Sequence, residues 1–196
     1  MAERAYHHGD LRAALVAAGV EAARRGGEPA VGLNRLAAEV GVRPSAAYRH
    51  FPGGLEDLLI AVGDVARAGL AERIVLRTSE VRGSRDPAVL ARRRFRASGE
   101  AYVEYVLEQP GLFQVSCRHD RGRSEGGPYA LLEACLDDLV RTGVLTPARR
   151  RHAPEAAWAA VHGVAVLLTE GPLRRLPPAQ RDAVVARTLD VVAAGL

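Results

Sequence analysis

Between Val31 and Phe51 the chain reads VGLNRLAAEVGVRPSAAYRHF, and this stretch concentrates side chains suited to a nucleic-acid surface. Arg49 has the reach and the paired donors to bridge guanine O6 and N7. Tyr48 and His50 suit phosphate oxygens, contacts that position a protein without reading sequence. Ser45 and Ala46 are small enough to let a helix sit deep in a groove. Asn34, Arg35, Arg43 and Pro44 flank them and complete the candidate DNA-binding set. Phe51 is expected in the core rather than on this surface.

A second group mixes aromatic and polar character: Phe95, Tyr102, Tyr105, Phe113, Trp158 and His162. Apolar walls with a few polar groups are what a small-molecule site needs; ordinary core packing is the competing reading for each. Cys117-Arg118-His119-Asp120 places a thiol, an imidazole and a carboxylate in a row. Neighbouring residues rarely point at one another, however, and catalytic triads gather groups from distant positions. No phosphate-binding glycine loop or HExxH is present. No catalytic residue and no enzyme activity are therefore expected. Cys117 and Cys135 are too few for a thiolate-only zinc site or a disulfide framework, so neither metal nor cofactor is expected. Arg118, His119, Arg121 and Arg123 read as a solvated loop.

These groups need elements to hold them. Leu33, Leu36, Ala37 and Val40 fall at helical spacing and stop at Gly41; Pro44 opens another short helix that runs to Phe51. Ala37 is small where two crossing helices approach. Gly41 permits a left-handed turn, Val42 points back to the core, and Pro44 suits a first turn because its missing N–H is not needed there. This is the spacing of a helix-turn-helix, whose second helix enters the major groove. An earlier helix, Asp10 to Arg25, carries Leu11, Leu15, Ala18 and Ala22 and stops at Gly26-Gly27. Three short helices thus make a head over residues 1–54.

Residues 55–196 read as a second, helical body. A long helix starts near Leu55 and fades towards Val81, Gly83 to Pro87 form a loop, and the longest clear helix spans Ala88 to Glu108. Leu112 to Cys117 is a short helical piece, and His119 to Pro128 a polar, glycine-rich loop. Ala130 to Arg141 is amphipathic, Thr146 to Pro154 a basic linker, and helices follow from Glu155 to Thr169 and from Ala179 to Ala194. No alternating strand pattern appears. The expected fold is all-α, with about nine helices.

Composition agrees. With 196 residues, 48% apolar and 26% charged, the chain can bury a core and is not disordered. All 27 basic residues are arginine against 23 acids, a net charge of +4 that permits a nucleic-acid partner without demanding one. Glu3, Arg4, Asp10 and Arg12 leave no apolar signal segment, and the longest uncharged run, Ala156 to Thr169, is shorter than the roughly 18–20 residues of a membrane span. A cytoplasmic protein with no membrane association is expected.

GVRPSAAYRHFPGGLEDLL resembles the DNA-binding head of TetR/AcrR-family transcriptional regulators, with Asp10 to Arg25 where the family's first helix lies. Tyr6 to Arg12 is similar to one branch of that family. That branch has a C-terminal domain named for a Trp-His-Gly signature, which Trp158, His162 and Gly163 resemble, as Ala101 to Phe113 resembles its central helix and turn. Four positions depart from the family pattern. Gly32 and Arg43 stand where Ser or Thr usually caps a helix, a cap worth about 1 kcal/mol. Ala47 replaces a larger residue or Pro, and Leu55 a Lys that often meets phosphate.

The resemblance implies a homodimer, a small-molecule effector and a palindromic operator in double-stranded DNA; a body that answers to a protein partner, or to no ligand, stays open beside it. For the dimer, Ala157, Ala160, Val164 and Leu167 form one smooth face of the penultimate helix. The last helix is apolar over a wide arc, with Val184, Val185, Leu189 and Val192, and a helix with surplus apolar surface usually has a second neighbour.

Overall fold

Proline sets most of the helix starts. In the computed structural model, which describes residues 11–119 and 125–196, ten α-helices run in chain order. They are α1 (Leu11–Gly26), α2 (Leu33–Glu39), α3 (Pro44–His50), α4 (Leu55–Ser79), α5 (Pro87–Glu108), α6 (Pro110–Arg118), α7 (Pro128–Arg141), α8 (Pro147–Arg150), α9 (Ala153–Thr169) and α10 (Pro178–Gly195). A 3₁₀ turn, Glu28–Ala30, follows α1, and no strand occurs among the described residues. Pro87, Pro110, Pro128 and Pro178 are each the first residue of a helix, so these helices begin one or two residues before their expected starts.

Two expectations are corrected here, the first being that α5 is the longest helix: α4 has 25 residues and α5 has 22. The basic stretch Thr146 to Pro154 is not a plain linker, because it holds α8. Thr146 Oγ1 accepts from the Arg149 N–H at 3.3 Å and Pro147 follows at the first turn. Arg150 Nε then donates to Asp137 Oδ1 at 2.9 Å. A cap and a proline outweigh the charge run.

The described residues divide into two compact units, one from residues 11–67 with 109–119, the other from 68–108 with 125–196. The expected head boundary at residue 54 falls at the start of α4, and the first unit extends past it to take in the first half of α4 and α6. Its core joins Leu15 and Ala23 of α1, Leu36 and Ala37 of α2, Ala47 of α3, Phe51, Leu58 and Val62 of α4, and Leu112 and Val115 of α6. Each large side chain buried there contributes about 1.5–3 kcal/mol. Gly19 lets α1 close on α4: a methyl there would meet Val62 Cγ2 at 2.8 Å.

The second unit packs α5 against α7, α9 and α10. Ala91 and Phe95 of α5, Leu136 and Leu139 of α7, Leu145, and Ala153 and Ala157 of α9 form a buried cluster. Gly99 lets α10 approach α5, since a methyl there would lie 2.6 Å from Leu189 Cδ2. Two ion pairs tie α4 to α5 within this unit: Arg73 grips Glu108 with bonds of 2.6 and 3.2 Å, and Arg77 meets Glu104 at 3.3 Å. The hydrogen-bonded Arg73 guanidinium lowers the Glu108 carboxyl below its ordinary range.

Candidate nucleic-acid interface and ligand pocket

The link between α2 and α3 follows from its residues. Gly41 takes φ of 77°, the left-handed conformation that suits glycine. The Gly41 N–H donates to Ala38 O at 3.1 Å and the Val42 N–H to Ala37 O at 2.8 Å, closing α2. Val42 is half-buried against the head core, Ala47 is fully buried, and Phe51 is 1% exposed, so one side of α3 is committed to packing. Arg12 lies over the Phe51 ring at 5.4 Å. Beyond α3, the Gly53 N–H donates to Asp57 Oδ2 at 2.6 Å and fixes the entry to α4.

The other side of α3 is open. Arg43, Pro44, Ser45, Tyr48 and Arg49 are exposed, and His50 is half-buried. Ala46, expected on this surface, is half-buried and packs partly against the core. Asn34 and Arg35 are exposed on α2, where Arg35 makes only a loose contact with Glu39 at 3.9 Å. Among the described residues neither Arg43 nor Arg49 has a carboxylate partner, so both guanidinium groups face solvent. Gly32 and Arg43 stand at the N-caps of α2 and α3 without a side-chain cap bond, so each helix start lacks one such partner.

In the second unit, Phe95, Ser98, Gly99 and Tyr102 of α5 and Ala157, Trp158, Val161 and His162 of α9 line a pocket. Ile74, Pro128, Leu132, Leu189 and Val192 complete it. It encloses some 460 Å³ of atom-free space including its open mouth. Tyr102 Oη and His162 Nδ1 share a 2.8 Å hydrogen bond. Trp158 stacks near-parallel to His162, with ring centres 6.1 Å apart, and meets Tyr102 edge-on at 5.3 Å. Burial lowers the proton affinity of His162, which holds the imidazole neutral near pH 7.

Four of the six residues expected in a ligand site thus share one pocket, and two do not line it. Tyr105 turns towards Gly69 of α4, where a methyl would meet its hydroxyl at 3.0 Å. Phe113 is buried in the first unit. Tyr129, absent from the expected set, packs on Trp158 at 5.4 Å. Gly99 and Ser98 also lie outside that set, although Phe95, Ser98, Gly99 and Tyr102 follow the i, i+3, i+4, i+7 stripe of one helix face.

The expected dimer residues separate by burial. Ala157, Val164 and Leu189 are at most 6% exposed within the subunit, which leaves them little surface for a second copy. Leu167 is 41% exposed, and Ala160, Val184, Val185 and Val192 are half-buried. Val192 and Leu189 also line the pocket. Beside Leu167 on α9, Ala156 and Ala159 are exposed and a methyl on Gly163 would meet nothing.

The Cys117 to Asp120 run shows no catalytic grouping among the described residues. His119 Nδ1 lies 2.9 Å from Glu56 Oε1, and Arg118 donates to Glu28 Oε2 at 3.1 Å. Asp120, Arg121 and Arg123 lie outside the described residues, as does Asp10 at the expected cap of α1. No helix among the described residues is long and apolar enough to cross a membrane.

Comparison with known proteins fits this geometry. Residues 95–192 match the family model for the tetracyclin repressor-like C-terminal domain. A Rhodococcus sp. RHA1 protein of unknown function is similar over 99% of both chains, at 28% identity and a TM-score of 0.71. The TetR-family transcriptional regulator PfmR from Thermus thermophilus is 20% identical with a TM-score of 0.52, over 93% of this chain and 98% of its own. A putative TetR-family transcriptional regulator from Mesorhizobium loti shares the fold at 15% identity and a TM-score of 0.58, over 96% and 98%. No curated protein matches the chain significantly. These structures share the fold, and with residues 95–192, half of the chain, matched by that model, the chain belongs to the tetracyclin repressor-like (TetR) family.

Proposed function

We propose that this chain is a ligand-responsive repressor of the Trp-His-Gly type, which binds a near-palindromic operator as a cytoplasmic homodimer and leaves it when a small molecule fills the body pocket. The observation that carries the reading is the exposed outer side of α3, where Arg43 and Arg49 face solvent on a helix whose inner side is locked by Ala47 and Phe51. In this reading Arg49 reads guanine, and Ser45 and Ala46 allow close approach. Arg43, Pro44, Tyr48 and His50 meet the backbone, with Asn34 and Arg35 contributing from α2. Residues 1–54 do the DNA work and 55–196 the sensing and pairing.

A second copy is needed because one seven-residue helix reads too few base pairs. Two copies related by a twofold axis would place their α3 helices in successive major grooves, roughly 34–36 Å apart. Leu167, Ala160, Val184 and Val185 supply apolar surface for that pairing. Effector control requires the ligand to prefer one of two body shapes, since equal affinity shifts nothing.

Selection of bound sites from random duplex DNA tests the reading. The expected product is a near-palindrome with half-sites one helical turn, or a multiple of it, apart, and binding that weakens steeply with salt. A pool that stays random after repeated rounds at low salt overturns it.

A further inference from the structure

The aromatic pocket between α5 and α9 is built from uncharged groups, unlike two other pockets of the second unit, which are lined in part by Glu100, Glu104 and Asp182 and by Arg92, Arg149 and Asp190. Among the described residues no arginine, aspartate or glutamate lines the aromatic pocket. Its polar side-chain groups are the Ser98 hydroxyl, which donates to Phe95 O at 2.7 Å, the Tyr102–His162 pair and the indole N–H of Trp158. An ion entering this space would lose its hydration and find no counter-charge, a heavy penalty in an apolar setting.

Size narrows the choice further. The 40 Å³ open to the centres of water-sized molecules corresponds to about three waters, and three waters fill about 90 Å³ of liquid. A benzene ring takes a cavity of about 150 Å³, so one six-membered ring is the most this space accepts, and only as the side chains at its mouth give way. The walls suit such a ring: Trp158 and His162 offer flat faces, and Phe95, Leu132 and Leu189 close the apolar sides. A hydroxyl or carbonyl on the ring can join the hydrogen bond between Tyr102 Oη and His162 Nδ1. A neutral imidazole can carry its proton on either nitrogen, so this pair adapts to a donor or to an acceptor.

Resting on the reading of this pocket as the effector site, we infer that the effector is an uncharged single-ring molecule bearing one hydroxyl or carbonyl, held between Trp158 and the Tyr102–His162 pair. Carboxylate and ammonium ligands find no counter-charge in these walls.

The chain contains one tryptophan, Trp158, and it stands in the pocket wall, so its emission reports occupancy without DNA. Titrations of the full chain with benzyl alcohol, toluene, benzoate and benzylammonium separate the classes. Benzyl alcohol is expected to change Trp158 emission saturably and to bind at least about 100-fold more tightly than either ion. It should exceed toluene by about fivefold, an advantage that Tyr102→Phe abolishes while leaving toluene unaffected. Equal or tighter binding of benzoate or benzylammonium overturns the inference, as does the absence of any saturable response to the alcohol. Operator release, measured separately, tells the two ideas apart. An alcohol that binds without releasing DNA upholds the ligand class and sinks the effector role; an ion that binds and releases DNA does the reverse.

Discussion

Replacing Gly111 with alanine presses on the contact that seats α6 against the head. A methyl at this position would lie 2.1 Å from Ala23 O, 3.1 Å from Gly27 N and 3.2 Å from Ala23 C. These atoms make the 2.8 Å hydrogen bond from the Gly27 N–H to Ala23 O that closes α1, so the obstacle is backbone and cannot swing aside. Ordinary contact begins near 3.4 Å, and α6 must therefore retreat by about 1.3 Å or bend. Retreat loosens Leu112 and Val115, which are 1% and 0% exposed. A gap of about 1 Å forfeits up to half of a dispersion contact, and each of these side chains is worth about 1.5–3 kcal/mol, so the loss is about 1–2 kcal/mol. Residual strain adds roughly 1–3 kcal/mol, while alanine's helix preference returns about 0.5–1 kcal/mol. Gly111→Ala is expected to cost about 1–4 kcal/mol net. Urea unfolding followed by circular dichroism reads this as a midpoint about 1 M lower at unchanged slope. A midpoint within about 0.2 M of the parent refutes the contact geometry.

Other expectations follow from single groups. His162 is held neutral by burial, so the unfolded chain takes up a proton more readily; stability is complete above about pH 6.5 and falls below it, levelling once the folded imidazole also protonates. His162→Gln should flatten that limb of the pH–stability curve, and an unchanged limb contradicts the assignment. Leu167→Glu, at an exposed position of α9, should weaken self-association at least about tenfold in sedimentation equilibrium while leaving helix content unaltered; an unaffected dimer removes α9 from the interface. Arg43→Ser supplies the side-chain cap that α3 lacks, so it should raise stability by about 1 kcal/mol in thermal melts. The same change should lower the salt slope of DNA binding by about one if Arg43 meets phosphate, and an unaltered slope excludes that contact.

Much of the head is legible in the sequence because its turns depend on residue types with few alternatives. Gly41 alone accounts for the left-handed residue between α2 and α3, and Pro44 for the start of α3. Helix starts elsewhere lie one or two residues ahead of expectation because proline reads as a breaker until its place in the first turn is recognised, as at Pro128 and Pro178. α8 is hidden by the arginines that follow its cap. The pocket is half legible: aromatic type identifies Phe95, Tyr102, Trp158 and His162, whereas small Gly99 and Ser98 carry no such mark. Tyr105 and Phe113 look alike in sequence, but helix rotation and the division into two units send them elsewhere. Apolar spacing also cannot tell which face of α9 meets its own chain, which is why it groups buried Ala157 and Val164 with exposed Leu167.

Affinity of the parent and of Arg49→Ala for the selected operator, and for the same operator substituted at each base pair, measures the role of α3 most directly. The parent should lose about 1–3 kcal/mol at one guanine in each half-site, and Arg49→Ala should lose that discrimination while keeping its preference elsewhere. If Arg49→Ala discriminates among all positions as the parent does, α3 is not the helix that reads the DNA.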